Sequence, residues 1–213
     1  WGYLVAAFVY LFVRDNILIT SLTVVFFLAL NILSGLHLLS FLNPIQPVFG
    51  TITDGNVPFI VLSGMLTTLI LKKLSSGDYK KLIVTIVTFG ILSLIGGFIL
   101  RKWFIISKIL ATPSWGMICN GISLLVFALL YWTMDVRKQV KWAFFLRPAG
   151  ENSLTTYIAP DIIYYLIWIS GAPLLFYKHS PEPLVVIAGS LVWSLAMVGL
   201  TALLVRFGIK LKL

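Results

Sequence analysis

The chain has 213 residues, 60% of them hydrophobic and only 11% charged, with a mean hydropathy of +1.03. That is more apolar surface than one soluble core of this length can bury, so a purely soluble domain is excluded and lipid must cover much of it. The net charge of +9 does not make a nucleic-acid surface, because the Lys and Arg residues sit at the ends of apolar stretches and are not interleaved with aromatics.

Seven stretches lack Lys and Arg, over residues 2–13, 16–42, 57–71, 82–100, 114–134, 152–177 and 183–205. About 20 apolar residues cross a bilayer as helix, so the pattern predicts an all-α polytopic bundle of about seven transmembrane helices, the first cut short and the third marginal. The chain starts at Trp1 inside an apolar run, which reads as one transmembrane domain, 1–213, belonging to a longer polypeptide and a larger bundle. Twelve of the sixteen Lys and Arg residues fall on one side if the spans alternate. These are Arg14, Lys72, Lys73, Lys80, Lys81, Arg137, Lys138, Lys141, Arg147, Arg206, Lys210 and Lys212. The positive-inside rule makes that side cytoplasmic, with Leu213 inside and Trp1 outside.

In chain order, the second span carries Asn31, Ser34 and Gly35 on one helical face, with His37 further along. That face serves either helix packing or a ligand. Residues 43–56 contain Pro44, Pro47, Gly50 and the pair Asp54-Gly55, which break the flanking helices and predict a loop folded over the membrane surface. Between the paired lysines, Ser75, Ser76, Gly77 and Asp78 supply a short turn. Gly90, Gly96 and Gly97 in the fourth span permit close helix approach in lipid.

Arg101, Lys102 and Lys108 run against the charge bias. Either they belong to an interfacial segment whose Trp103 and Trp115 join the aromatic belt, or they form an electropositive mouth for an anionic ligand. At the start of the sixth span, Asn152 or Ser153 can cap the free amides, and Glu151 suits the helix dipole. Asp161 follows Pro160 and lies about 13 Å beyond Asn152, a depth at which an ionisable group marks function by default. Pro173 is expected to mark the outer end of that span.

The single cysteine, Cys119, permits neither an intramolecular disulfide nor a CxxC metal pair. No HExxH, GxSxG, Walker loop or GxGxxG occurs, so metalloprotease, serine hydrolase and nucleotide hydrolase lack their minimum chemistry, and no metal is expected. Of the two histidines, His37 can act as a general base near a membrane boundary, while His179 beside Lys178 reads as solvated.

The runs GYLVAAFVYLF, ISKILATPSW, FALLYWTMDV with KWAFFL, GENSLTTY and VRFGIKLKL occur in an order that resembles the C-terminal half of bacterial membrane proteins of the DUF5009 group, relatives of heparan-alpha-glucosaminide N-acetyltransferase. The resemblance covers essentially the whole chain. It implies a multi-pass acyltransferase of the bacterial inner membrane that takes an acetyl group from acetyl-CoA and delivers it to an amino sugar or saccharide across the bilayer. It places the catalytic His and its acidic neighbour in amino-terminal helices that have no counterpart here, so these missing helices of the same protein become the first expected partner, and a homo-oligomer stays open. Residue by residue it carries Lys108, Thr112 and Ser114 as a polar cluster at the outer end of the fifth span, and Asn152 with Ser153 at the start of the sixth; His37, Arg101, Lys102 and Asp161 are further candidates from the sequence. Two other readings remain: a transporter using Asp161, Asn31 and Asn120 along a polar path for a small polar or anionic solute, and a subunit without chemistry. An acyltransferase is expected to hold a cavity from the cytoplasmic face to the Lys108 loop, a transporter a site near the midplane.

Overall fold

The computed structural model describes residues 2–74, 78–171, 177–178 and 180–208. Trp1, Ser75, Ser76, Gly77, Pro173, His179, Lys210, Lys212 and Leu213, which figure in the expectations above, lie outside the described residues. All regular structure among them is helical, and the chain divides into two units, 1–138 and 139–213.

Unit 1 contains α1 (Gly2–Val13), α2 (Ile17–Gly35), a 3-10 turn (Ser40–Ile45), α3 (Gln46–Thr53), α4 (Asn56–Leu74), α5 (Tyr79–Leu100) and α6 (Pro113–Tyr131). Local chemistry sets the boundaries. Asn16 Oδ1 accepts from Ile19 N at 3.2 Å and caps α2. Asp78, expected to serve a turn, also caps α5 by accepting from Lys81 N at 3.0 Å. The stretch expected to be a surface loop is mostly helical, because Pro47 sits in the first turn of α3, where a missing N–H costs nothing.

Helix α4 packs against α1, α2, α5 and α6, and two apolar clusters sit at its two ends. One gathers Ala6, Phe27, Phe59 and Leu62; the other gathers Ile70, Leu82, Ile86 and Ala128. Arg14, Lys72, Lys73, Lys80 and Lys81 lie at the second end, where Asp15 between α1 and α2 pairs with Lys72 of α4. The tightest pair is α5 and α6, whose backbones meet at glycines. A Cβ at Gly121 would stand 2.8 Å from Gly90 O, and one at Gly97 2.9 Å from Ile118 N. Between the same helices Asn120 Nδ2 donates to Ser93 Oγ at 3.1 Å. Helix α6 runs on into a π turn (Trp132–Val136), where the Arg137 guanidinium lies 4.0 Å from the Trp132 ring centre.

Unit 2 contains a 3-10 turn (Lys141–Leu146), α7 (Arg147–Glu151), α8 (Ser153–Ser170) and α9 (Pro183–Arg206). Thr156 Oγ1 donates to Thr201 Oγ1 at 3.2 Å, and Tyr164 stacks on Trp193 at 4.6 Å, joining α8 to α9.

Five described helices are long and apolar enough to cross a membrane: α2, α4, α5, α6 with its π turn, and α9. The third stretch, expected to be marginal, is a full 19-residue helix. Helix α1 has 12 residues, about 18 Å, and α8 has Pro160, Asp161 and four Ser or Thr residues in its 18, so neither is among the five.

Candidate functional site

A pocket of about 630 Å³ opens at the end of unit 1 where α2 finishes and α4 and α6 begin. Its wall includes Asn31, Ser34, His37, Gln46, Asp54, Trp103 and Thr112. Each comes from a helix end or a connection, and the way these stop explains the wall. Helix α2 closes with Leu38 N donating to Leu33 O at 3.1 Å and His37 N to Ser34 O at 2.9 Å. In that motif the residue after the cap is left-handed and usually glycine; here it is His37 at φ 58. A second turn has Ala111 N donating to Lys108 O at 3.1 Å and Thr112 N to Ser107 O at 3.2 Å, with Ala111 at φ 48. A left-handed residue other than glycine costs about 1–3 kcal/mol and persists only where its surroundings hold it.

At Ala111, two buried amides do the holding. Asn31 Nδ2 donates to Asp54 O at 2.7 Å and Ala111 O at 3.1 Å. Asn56 Nδ2 donates to Thr112 O at 3.2 Å and Asn31 Oδ1 at 3.3 Å. One clamp thus ties the α3–α4 connection and the loop before α6 to α2. Gly55 at φ 71 makes the turn into it, and a side chain there would collide with Phe27 O. Gly116 leaves room for the amide, since a Cβ would stand 2.6 Å from Asn56 Nδ2. Among the described residues Asn56 Oδ1 has no hydrogen-bond partner, an uncompensated acceptor costing about 1–3 kcal/mol.

Above the clamp, Ser34 Oγ donates to Asp54 Oδ1 at 3.2 Å and fixes the carboxylate. Among the described residues of the wall, Asp54 is the one carboxylate, and no Lys or Arg is present. The wall is otherwise hydroxyls, amides and apolar groups, with the Trp103 ring 67% exposed. Such a surface suits a polar ligand that is neutral or cationic; a phosphate would meet a carboxylate without a cation beside it.

The candidates named from sequence divide accordingly. Thr112 and His37 line the pocket. Ser114 is fully buried and donates to Ile105 O at 3.0 Å, while Thr112 Oγ1 lies 3.3 Å from Ser114 Oγ and accepts from Ser107 N at 3.1 Å, so the two hydroxyls shape the loop. Arg101, Lys102 and Lys108 are exposed and outside the wall, so the electropositive mouth is not part of this pocket. In unit 2, Asn152 occupies the N-cap position of α8 without capping; its Nδ2 donates to Pro148 O at 3.2 Å, which satisfies the end of α7. Glu151 pairs with Arg147 at 2.6 Å, and Ser153 and Asp161 are exposed.

Asp54, Asn56 and Gln46 were not among those candidates. The sequence signal for them was Asn31: an amide deep in an apolar span needs partners, and only chain breaks such as 54–56 and 111–112 offer free carbonyls. No protein-family model matches this chain, and neither a curated protein nor a solved structure shows significant similarity to it.

Proposed function

We propose that the chain is the membrane-embedded C-terminal portion of an acyltransferase related to heparan-alpha-glucosaminide N-acetyltransferase, passing an acetyl group from cytoplasmic acetyl-CoA to an amino sugar on the other side. In this reading α1 and α8 also cross the bilayer, giving seven spans in a bacterial inner membrane with the C-terminus inside, and the pocket faces away from the cytoplasm. The observation that carries it is the make-up of the pocket wall: Asp54 for a protonated amine, the Trp103 face for a sugar ring, Gln46 and Ser34 for hydroxyls, and no Lys or Arg. The wall belongs to one end of unit 1, so the donor channel and the catalytic base come from the amino-terminal helices that the resemblance implies. The base first takes one proton from the ammonium held by Asp54; the freed nitrogen lone pair bonds to the thioester carbonyl carbon, the C–S bond breaks, and the second nitrogen proton passes to the departing CoA thiolate.

The alternative, a carrier, would use Asp161, Asn31 and Asn120 along its path; Asn31 donates to Asp54 O and Ala111 O and Asn120 to Ser93 Oγ, which favours a structural role for these two amides. The test is acetyl-CoA and glucosamine supplied to the full-length protein and to this chain in lipid discs. Transfer by the full-length protein, with glucosamine bound by both, supports the reading; absence of transfer to any amino sugar rejects it.

A further inference from the structure

We infer that unit 1 also holds a site for the phosphodiester headgroup of an anionic lipid, at the end opposite the pocket. A cavity of about 310 Å³ lies there between the α1–α2 turn and the last turns of α4, lined by Asp15, Ile17, Leu69, Lys72 and Lys73. Lys72 Nζ lies 3.2 Å from both Asp15 carboxylate oxygens, with the two side chains 67% and 60% exposed. A pair so exposed is screened by water and gives way easily to a better anion. Lys73 forms no ion pair among the described residues.

Two lysines and one aspartate leave the wall with a net charge of +1, which matches the single charge of a phosphodiester. The rest of the wall is apolar: Ile17 opens α2 and Leu69 lies one turn inside α4, both helices long and apolar enough to cross a membrane. A soluble phosphate would use only the lysine rim. A phospholipid uses both parts, its headgroup on the rim and its chains leaving past the half-buried Ile17, with the buried Leu69 at the floor. The inference rests on reading α2 and α4 as spans and needs nothing from acyl transfer.

The charge at this end supplies its own control. Lys80 and Lys81 are exposed at the start of α5, close in sequence, yet outside the cavity wall. The experiment measures lipid retention by native mass spectrometry on the delipidated full chain, titrated with phosphatidylglycerol or phosphatidylcholine. Phosphatidylglycerol should bind more tightly than phosphatidylcholine by about tenfold, and the Lys72→Gln, Lys73→Gln double variant should lose about that factor. The charge-matched Lys80→Gln, Lys81→Gln variant should stay within about twofold. Asp15→Asn should tighten binding, since it frees Lys72 and removes a repelling charge.

Equal losses in the two double variants would reduce the effect to the general field of that end and overturn the site. Equal binding of the two lipids would do the same. Competition by soluble glycerol phosphate at matched concentration would overturn the lipid as the source. Acetyl transfer is read separately, so this site can fail while that reaction stands; failure of the chain to enter bilayers would sink the spanning reading itself.

Discussion

The two ends of unit 1 handle polarity in opposite ways. At the pocket end, the polar side chains are tied to main-chain carbonyls: Asn31 and Asn56 reach across three segments, and Ser34 fixes Asp54. At the lysine end, an apolar cluster closes the bundle and the charges stand in the open, with Asp15–Lys72 as an exposed pair. Left-handed residues other than glycine occur at both ends, Arg14 and Lys138 at the lysine end and His37 and Ala111 at the pocket. At the pocket, a buried amide grips the carbonyl of Ala111. The lesson is that one end fixes its polar groups by buried hydrogen bonds while the other leaves them in the open around a small cavity. A pre-shaped wall recognises one ligand shape; loose lysines recognise charge and adapt to it.

The largest expected effect comes from breaking the clamp. Asn56→Leu strands Thr112 O and Asn31 Oδ1 in a buried place and should cost about 2–4 kcal/mol of stability, read as a fall in midpoint on thermal unfolding in detergent. Next, Asp54→Asn keeps the size of the side chain but removes the charge of the wall; glucosamine should bind about tenfold more weakly, with stability changed by less than about 1 kcal/mol. His37→Gly separates strain from function: glycine accepts φ 58, so stability should rise by up to about 1 kcal/mol while glucosamine affinity falls. If both fell together, His37 would be held there for packing alone. The smallest effect belongs to the lysine end, where Lys72→Gln should change stability by less than about 1 kcal/mol.

Much of unit 1 was legible in the sequence because lipid imposes simple rules. Runs free of Lys and Arg located α2, α4, α5 and α6, as they did α9 in unit 2, and the glycines of α5 marked it for close helix approach, which α6 makes at Gly90 and Gly97. Asn31, Ser34 and Gly35 were placed on one face, and all three line the pocket. Two stretches were harder. Apolar length alone could not separate α8 from the longer spans, because its Thr, Pro and Asp residues lower its hydropathy without interrupting the run. The breakers of residues 43–56 hid a 3-10 turn and α3, since Pro47 starts a helix as readily as it stops one.

The site was only half legible. His37 stood out by type and Thr112 came only from the resemblance, but Asp54 looked like an ordinary turn residue, and nothing local distinguishes it from one. Its significance arises from Ser34, twenty residues earlier, and from Asn31, which binds its carbonyl. Lys108 was named for running against the charge bias and, with Ser114, through the resemblance, yet one is exposed outside the pocket wall and the other is consumed in holding its own loop.

The most direct test of the contrast between the ends is equilibrium binding of glucosamine and glucosamine 6-phosphate to the full chain in lipid discs, for the wild type and Asp54→Asn. The wild type should prefer glucosamine, and the variant should lose that preference chiefly by binding glucosamine less well. Tighter binding of the phosphorylated sugar by the wild type, unaffected by Asp54→Asn, would contradict the assignment of the pocket to a neutral or cationic ligand.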